Sequence, residues 1–251
     1  MTLHQDAGTA AQLVAKAIDF GASLAGIADV SQLRDAPSYK VYHTSPYYSG
    51  FEGIEWPDSA RSVLVMALLH RPSEPELDWW GDIPGRTPGN WRLMHIATGL
   101  QQWLARERGI SAHPLPYRVE EGGILLKDAA VLAGLGIIGR NNILITPEFG
   151  PRVRLRALFL EVELEPTGPA AFDPCAACDM PCRRACPQQA FRSGVYSRAL
   201  CDRQMTLDED HPVLVEHWVE GYSPGRVVKY CRACELACPV GRSAPLSEGE
   251  V

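Results

Sequence analysis

Two short stretches near the end of this chain decide its fold. They are residues 175–187, CAACDMPCRRACP, and residues 231–239, CRACELACP, in a sequence of 251 residues. All eight cysteines lie between Cys175 and Cys238, and each of the two stretches ends in Cys-Pro. One of the eight, Cys201, stands alone between the stretches, and residues 1–174 contain none. We therefore interpret the first part of the chain as a separate unit that works with this cysteine-rich part.

The spacing of the first stretch predicts iron-sulfur clusters. It reads C-x2-C-x3-C-x3-C-P, close to the C-x2-C-x2-C-x3-C-P run of two-cluster bacterial ferredoxins, in which the cysteine before the proline ligates the other cluster. Applying the same exchange here fills two [4Fe-4S] sites and leaves no cysteine over, with Cys201 replacing a missing third cysteine in the second stretch. The first predicted ligand set is Cys175, Cys178, Cys182 and Cys238. The second is Cys186, Cys201, Cys231 and Cys234.

Two other uses of cysteine compete with this prediction. Disulfides require an oxidising compartment, but residues 1–15 show no basic segment leading into an apolar run, so no signal peptide is expected. Zinc sites also use C-x2-C pairs. Zinc gives no reason, however, for two Cys-Pro endings or for the C-x3-C-x3-C continuation. The sequence therefore favours clusters in a reducing, cytoplasmic protein.

Composition narrows the partners that we expect. The formal net charge is -6, so no global basic field recruits nucleic acid, and tRNA is an unlikely partner on this argument. Hydrophobic residues make up 46% of the chain, an ordinary value for a globular protein. No apolar run approaches the roughly 20 residues that span a bilayer. We expect no membrane partner.

The pattern of apolar residues predicts an α/β (α+β) domain over residues 1–165, followed by a ferredoxin-like module with two [4Fe-4S] clusters over residues 166–251. Apolar residues at helical spacing predict helices near residues 13–18, 93–104 and 124–135. Apolar or alternating runs predict strands at residues 23–28, 61–70, 143–146 and 152–164. Residues 165–174, with three prolines and a glycine, form the predicted linker.

The last predicted strand carries three arginines on one face. Arg152, Arg154 and Arg156 alternate with the apolar residues of the other face. Such a row could hold an anionic ligand. More often it is a face exposed to solvent, and this is the interpretation that we favour from the sequence.

Residues 134–139, GLGIIG, match the dinucleotide-binding pattern G-x-G-x-x-G. That motif must follow a strand and open a helix so that the pyrophosphate meets the helix N-terminus. Here a predicted helix comes first and a strand follows. The glycines are better interpreted as a helix C-terminus with a close backbone approach.

Residues 133–150, AGLGIIGRNNILITPEFG, followed by RVRL at 152–155 and then by the cysteines, resemble the cobalamin-dependent iron-sulfur reductases, the family of epoxyqueuosine reductase and the reductive dehalogenases. The resemblance implies an α/β domain that holds a cobalamin against the ferredoxin-like module, so that electrons pass through the clusters to cobalt. On this resemblance we expect the turn after the helix to contribute to cofactor binding. The residues concerned are Gly136, Gly139, Arg140, Asn141 and Asn142.

The same resemblance implies catalytic residues. Epoxyqueuosine reductases carry an acidic proton donor about a helix's length before the AGLG segment, and the matching position here is Glu120. Reductive dehalogenases use a tyrosine with a basic neighbour, and Tyr117 with Arg118 could play that part. Glu121 stands beside Glu120, and the alternative for all four residues is an exposed polar loop. The chain departs from the family in having Glu for Asp, in the x3 spacing before Cys182, and in lacking a helical-repeat extension after the clusters, which also weakens the case for tRNA.

These observations predict a cytoplasmic oxidoreductase with two [4Fe-4S] clusters and a cobalamin. Its partners would be an electron donor protein, a ferredoxin or flavodoxin, and a small organic substrate or modified nucleoside. The alternative is an electron-transfer protein without its own cobalamin, either a shuttle or an activator that reduces a corrinoid on another protein.

Overall fold

The first part of the molecule is built on a four-stranded antiparallel sheet. The computed structural model describes residues 7–39, 54, 56–216 and 225–242. The strands are β1 (Leu24–Asp29), β2 (Ser62–Leu69), β3 (Ala112–Pro114), β4 (Ile137–Ile138), β5 (Leu144–Ile145), β6 (Val153–Leu160), β7 (Val213–Val215) and β8 (Gly225–Val227). The helices are α1 (Ala7–Asp19), α2 (Val30–Arg34), α3 (Pro88–Trp103), α4 (Leu126–Leu132), α5 (Pro181–Arg184), α6 (Arg198–Glu209) and α7 (Ala233–Leu236). The sheet has the order β1-β2-β6-β3, while β4-β5 and β7-β8 are separate two-stranded ladders.

The two central strands, β2 and β6, are covered on both faces. Alternate residues of β2 belong to two different apolar clusters: Val63 and Val65 pack with α2 and α4 on one face, and Leu64 and Met66 pack with α1 and α3 on the other. Successive side chains of a strand point to opposite faces, so a strand between two layers of helices must be apolar at nearly every position. The continuous apolar run of the sequence therefore predicted this buried strand correctly.

The amphipathic helix predicted at residues 93–104 is present as α3. Thr87 caps its N-terminus, because its side chain accepts a hydrogen bond from the Asn90 amide, and Pro88 stands at its first position. A short π-helix, Leu104–Arg108, continues it to Gly109, which is left-handed at φ 63°. The predicted end of the helix at Gly109 is confirmed.

The helix predicted at residues 124–135 is shorter, because α4 begins at Leu126 and ends at Leu132. Gly134, at φ 76°, follows its end. The chain then forms the hairpin β4-β5, and the strand predicted at 143–146 is the second arm of this hairpin. A helix followed by a hairpin is the wrong order for a dinucleotide site, so the structure agrees with our rejection of the G-x-G-x-x-G motif.

The cysteine-rich part consists of short helices around irregular backbone. Two of its helices, α5 and α7, have four residues each, and α6 is the long one with 12. In the residues that the structure describes, no helix is both long enough and apolar enough to cross a membrane.

The arginine row of β6 is buried, so our interpretation of it as a solvent-exposed face was wrong. Arg152 is 4% exposed and Arg156 is 9% exposed, and the Arg154 side chain is 26% exposed. The cysteine-rich part and α3 cover this face of the strand. Alternation along a strand separates its two faces, but it does not tell which neighbour later covers the polar one.

Candidate functional site

The first spatial group of thiols combines residues from both cysteine stretches. Burial raises the pKa of Cys182, and the charges of Cys238, Cys175 and Cys178 raise it further. Burial and the charges of Cys175 and Cys178 also raise the pKa of Cys238. Charge interactions weaken with distance, so these shared influences relate Cys238 of the second stretch to the thiols of the first. Cys182 and Cys238 are buried, and Cys238 is 56 residues further along the chain.

The other four thiols form a second spatial group. Burial and the charges of Cys231, Cys186 and Cys201 raise the pKa of Cys234 to about 12. Burial also raises the pKa of Cys231, and the charges of Asp208, Cys186 and Cys201 raise it further. These neighbours are compatible with the two ligand sets predicted from the Cys-Pro exchange, and the assignment of each cysteine to a cluster stays a prediction. Cluster binding by these groups stays a prediction.

Cys201 reaches the second group because helix α6 carries it there. Ser197 caps α6 with its side chain, and Cys201 lies in the first turns. Near the other end of the helix, Asp208 accepts a hydrogen bond of 2.8 Å from the Cys231 amide. The hydroxyl of Tyr196 interacts with Cys201 as well, and burial together with this hydrogen bond raises the pKa of Tyr196. These contacts hold an isolated cysteine beside the second stretch.

All eight cysteines are free thiols, and two of them accept backbone hydrogen bonds. The Met180 amide lies 3.4 Å from Cys178 Sγ, and the Ala190 amide lies 3.3 Å from Cys186 Sγ. N–H groups directed at cysteine sulfur stabilise negative charge on it, which is one way in which proteins tune iron-sulfur clusters.

Arg152 joins the cysteine-rich part to the sheet at the buried end of the first group. Its guanidinium donates to the backbone carbonyls of Cys238, at 3.3 Å, and Val240. Burial lowers the pKa of Arg152 and the charge of Cys238 opposes this. Gly150 and Gly241 pack in the same place: a Cβ on Gly150 would lie 2.1 Å from the Val240 carbonyl oxygen. The backbone of the second cysteine stretch thus lies directly on the start of β6.

A network of charged side chains also connects the sheet to the cysteine-rich part. Asp78 Oδ1 lies 2.8 Å from both His70 Nδ1 and Arg154 Nε, and Asp78 Oδ2 lies 2.6 Å from Arg232 Nη1. Arg154 and Arg232 also bind Glu235 on α7. Burial by itself would raise the pKa of Asp78, but the His70 hydrogen bond and the two arginine charges lower it to about 2. Asp78 is therefore an anion at any physiological pH.

The predicted cofactor-binding turn lies between α4 and the first cysteine stretch. The Lys127 ammonium donates to the Asn142 carbonyl at 2.7 Å, and Arg183 Nε donates to the Arg140 carbonyl at 3.1 Å. Asn141 is buried, and its side-chain amide nitrogen has no hydrogen-bond partner among the described residues. Gly136 and Gly139 are in contact with β5 of their own hairpin, because a Cβ on either would lie within 2.2 Å of Ile145 atoms. The turn thus connects the domain to the cysteine-rich part, and its role in cofactor binding stays a prediction.

A cavity of about 430 Å³ opens beside Arg156, between β6, the first turn of α3 and the loop at residues 114–121. Its lining residues are Trp80, Gly85, Arg86, Asn90, Met94, Pro114, Leu115, Pro116, Tyr117, Arg118, Glu121 and Arg156. We call it the Arg156 cavity. The sequence identified Arg156 as one of a row and Tyr117 and Arg118 by resemblance. Trp80 and Asn90 carried no signal, because they reach the cavity from segments far away in the chain.

Of the three predicted catalytic residues, two line the Arg156 cavity. They are Tyr117 and Arg118. Glu120 is exposed and does not line it, whereas the adjacent Glu121 does, with its carboxylate 4.0 Å from the Arg118 guanidinium. Residues 119–121 form a single 3-10 turn that ends at Gly122, left-handed at φ 95°. In this conformation of the loop, Glu121 rather than Glu120 faces the cavity.

Comparison with characterised proteins identifies named homologues. The chain is 30% identical to epoxyqueuosine reductase from Gloeobacter violaceus over 194 residues, 71% of this chain and 56% of that protein. It is 32% identical to epoxyqueuosine reductase from Listeria monocytogenes over 125 residues, 47% of this chain and 30% of the relative. It is 35% identical to tetrachloroethene reductive dehalogenase from Sulfurospirillum multivorans over 117 residues, 44% of this chain and 22% of the relative. The matches thus span about half or less of these relatives, and no family model matches the chain.

Solved structures share the fold. An epoxyqueuosine reductase with an epoxyqueuosine-modified tRNA-Tyr stem loop superposes with a TM-score of 0.66 at 19% identity, over 95% of this chain and 67% of that one. A Bacillus subtilis epoxyqueuosine reductase, whose catalytic loop is swung out of the active site, gives 0.63 at 19%, over 96% and 67%. A reductive dehalogenase in complex with 3-bromo-4-hydroxybenzoic acid gives 0.62 at 19%, over 92% and 32%. The mixed α/β fold is therefore that of epoxyqueuosine reductases.

The comparison corrects one prediction about partners. We argued from the net charge of -6 that tRNA is an unlikely partner, and this was wrong as an argument, because a homologous fold is seen with a tRNA stem loop. Net charge is a property of the whole surface, whereas RNA contacts depend on the local arrangement of basic and aromatic groups.

Proposed function

We propose that this chain, a homologue of the epoxyqueuosine reductases and reductive dehalogenases, is an iron-sulfur oxidoreductase that delivers electrons to a substrate beside the Arg156 cavity. The observation that supports this most strongly is that thiols of the two cysteine stretches influence one another across the chain, Cys182 with Cys238 and Cys186 with Cys234. Each predicted ligand set would hold one [4Fe-4S] cluster.

The described residues fit clusters better than single zinc ions. Four zinc-bound sulfurs each lie about 2.3 Å from one ion, whereas a cubane takes one thiolate on each of its four irons. The sequence carries two Cys-Pro endings and a C-x3-C-x3-C continuation, which fit the ferredoxin pattern and for which zinc gives no reason. The amides of Met180 and Ala190 that point at Cys178 and Cys186 are also typical of cluster sites.

A cobalamin beside the cavity is the second part of the proposal. When bound, it would supply low-valent cobalt as the reductant of the substrate. The Arg86 and Arg118 guanidinium groups and the Tyr117 hydroxyl fit the amide and phosphate groups at the periphery of a corrin. A whole cobalamin is larger than a cavity of about 430 Å³, so these residues would contact one edge of it.

The chain's own residues would then orient the substrate and deliver a proton. Tyr117 and Arg118 line the cavity, and Glu120 lies on the adjoining turn, exposed to solvent. Because a related catalytic loop is seen swung out of its active site, we propose that the turn at residues 119–121 moves to bring Glu120 inward. Closure would bury the carboxylate, and burial raises the pKa of a carboxyl group toward the range useful for proton donation.

The same comparison supports a proposal for the substrate class. One structural neighbour holds a modified nucleoside in a tRNA stem loop, and another holds a halogenated hydroxybenzoic acid. We propose a modified nucleoside, in tRNA or free, or a small organic molecule as the substrate. A ferredoxin or flavodoxin would be the electron donor.

A second candidate function is an electron-transfer protein without its own cobalamin. The observation that favours it is the size of the cavity, which among the described residues is too small for a whole corrin. Such a protein would reduce a cofactor carried by a partner.

Metal analysis of the anaerobically purified protein tests both candidate functions. Cells are fed hydroxocobalamin, and iron, acid-labile sulfide and cobalt are measured beside the visible spectrum. The first function predicts two cubanes and near-stoichiometric cobalt, and the second predicts the cubanes without cobalt. Protein that holds neither iron nor sulfide would contradict both.

A further inference from the structure

The three arginines of β6 differ in what they bind. Arg152 donates to the carbonyls of Cys238 and Val240, and Arg154 binds the carboxylates of Asp78 and Glu235. Carboxylates therefore balance the charge of Arg154, and backbone carbonyls accept hydrogen bonds from the guanidinium of Arg152. Arg156, two residues further along the same face, makes no ion pair within the described part of the chain.

Arg156 is held with one edge of its guanidinium free. Nη1 donates to Asn90 Oδ1 at 2.8 Å, and Asn90 in turn donates from its amide nitrogen to the Gly85 carbonyl at 2.7 Å. The second contact orients the Asn90 side chain so that its oxygen faces Arg156. The Arg156 Nε atom is buried and has no hydrogen-bond partner among the described residues. The side chain lines the cavity, so the part of its guanidinium that faces the cavity can meet a ligand there.

A buried guanidinium without a counter-charge is costly. Burial lowers the pKa of Arg156, because it disfavours the charged form, and the charge of Glu121 only partly offsets this. A buried charge without a close counter-charge is unfavourable, because burial removes its hydration and no ion pair replaces it. An anion that binds beside it would recover much of that cost.

The charge of the whole cavity points to the same kind of ligand. Its charged lining residues are three arginines, Arg86, Arg118 and Arg156, against the single carboxylate of Glu121. This leaves an excess of two positive charges in a chain whose net charge is -6. Arg118 lies beside Glu121 at 4.0 Å, and Arg86 pairs at 3.5 Å with Asp82 at the surface. Arg156 is thus the cationic group that is both deepest and least balanced.

We propose that Arg156 anchors an oxyanion subsite in this cavity, and that the subsite takes a carboxylate or phosphate group of the substrate. A guanidinium edge binds such a group through two parallel hydrogen bonds, which gives orientation as well as affinity. Trp80 and Tyr117, which also line the cavity, supply aromatic surface for the rest of the molecule. The inference rests on the proposed function only in naming the ligand as the substrate.

Calorimetric titration of the anaerobic protein at low salt tests the subsite. The probes are benzoate, inorganic phosphate and the neutral isostere benzamide. The variants are Arg156→Gln, Arg156→Lys, which keeps the charge without the planar fork, and Arg92→Gln. Arg92 is exposed on α3 and does not line the cavity, so it controls for the loss of one positive charge.

We expect the wild-type protein to bind at least one of the two anions and to bind benzamide much more weakly. Arg156→Gln should weaken anion binding by about 10- to 100-fold, the value of one charge-assisted pair. The anion affinity of Arg156→Lys should lie between those of the wild type and Arg156→Gln. Arg92→Gln should bind the anions as tightly as the wild type. Equal affinity in Arg156→Gln and Arg92→Gln, or no anion binding by the wild type, overturns the proposal. Should Arg156→Gln fail to fold, the comparison of Arg156→Lys with Arg92→Gln decides it.

The phosphodiester of a cobalamin tail could supply the same chemistry, and a second arm separates the two sources. Binding of cobalamin is compared with binding of cobinamide, which lacks the nucleotide and its phosphate. Arg156→Gln should leave the ratio of the two affinities unchanged, because the subsite serves the substrate. A selective loss of cobalamin binding would assign Arg156 to the cofactor and overturn the substrate assignment. Iron and sulfide are measured in every sample, so a protein without clusters would refute the proposed function while the titration still decides the subsite.

Discussion

Arg154 Nη2 on β6 lies 2.8 Å from Glu235 Oε2 on α7. Glu235 is the residue that directly follows Cys234 in the sequence. The pair connects the centre of the sheet to the helix that carries a thiol of the second group. Glu235 is only 4% exposed, and burial tends to lower the pKa of Arg154 while the Glu235 and Asp78 charges raise it overall. Buried charged groups of opposite sign, which balance one another, thus connect the sheet to the cysteine-rich part.

We predict a measurable coupling energy between these two residues. Arg154→Met and Glu235→Gln should each destabilise the protein, and the double variant should lose less than the sum of the two. We expect a coupling of about 1 to 3 kcal/mol, the range for residues within one network. Chemical denaturation of the anaerobic protein and its three variants measures it. Additive effects would show that the pair makes no net contribution.

Asp78→Asn should destabilise the protein by about 3 kcal/mol, because it removes one of the two carboxylates that Arg154 and Arg232 share and leaves their charges only partly balanced. Asp82→Asn is the matched control, since Asp82 is fully exposed in a surface pair with Arg86 and should change stability by less than about 0.5 kcal/mol. Thermal unfolding compares the two variants. Equal shifts in Tm would contradict the role of the network.

The same variant has a defined pH dependence. The folded-state pKa of Asp78, about 2, lies below its usual value of 3.8, so its contribution is complete above about pH 4 and is lost as the pH falls toward 2. The difference in Tm between wild type and Asp78→Asn should therefore stay constant from pH 8 to 5. A difference that shrinks in this range would instead implicate titration of His70.

Cys238→Ser should remove the same cluster as Cys182→Ser. Cys238 lies with Cys182 in the first spatial group although it belongs to the second stretch of sequence. Cys231→Ser is the control and should remove the other cluster. Electron paramagnetic resonance of the reduced protein distinguishes the two centres. Loss of one signal in both Cys238→Ser and Cys231→Ser, with Cys182→Ser affecting the other, would refute the exchange.

Gly89→Ala should destabilise the protein by about 1 to 3 kcal/mol. A Cβ at Gly89 would lie 2.1 Å from the ring of the fully buried His70, which is held in place by Asp78. Gly99→Ala on the same helix is the control, because there the added methyl meets only the half-exposed Phe20 ring, which can move. Tm values that fall equally would show that the His70 ring is not rigidly held.

Glu120→Gln should slow turnover at least about tenfold without changing iron content, since a positioned acid contributes about 100-fold or more. Glu121→Gln should affect turnover less, because in our proposal Glu120 is the carboxyl group that the closed loop brings to the substrate. Single-turnover rates of the two variants separate these roles. A normal rate in Glu120→Gln, with a slow one in Glu121→Gln, would assign the proton donor to Glu121.

Local patterns in the sequence were sufficient wherever one segment determines its own structure. The apolar run of β2 and the helix that ends at Gly109 both follow from spacing along the chain. They do so because strand alternation and helix periodicity are properties of a few consecutive residues.

Only the tertiary structure decided what the polar groups do. The arginines of β6 are equivalent in sequence, yet Arg152 and Arg154 bind the cysteine-rich part and Arg156 faces a cavity. The turn at 119–121 likewise directs Glu121 inward and Glu120 outward. The physical reason is that the partner of a buried charge comes from segments distant in the chain, so no local pattern of residues contains it.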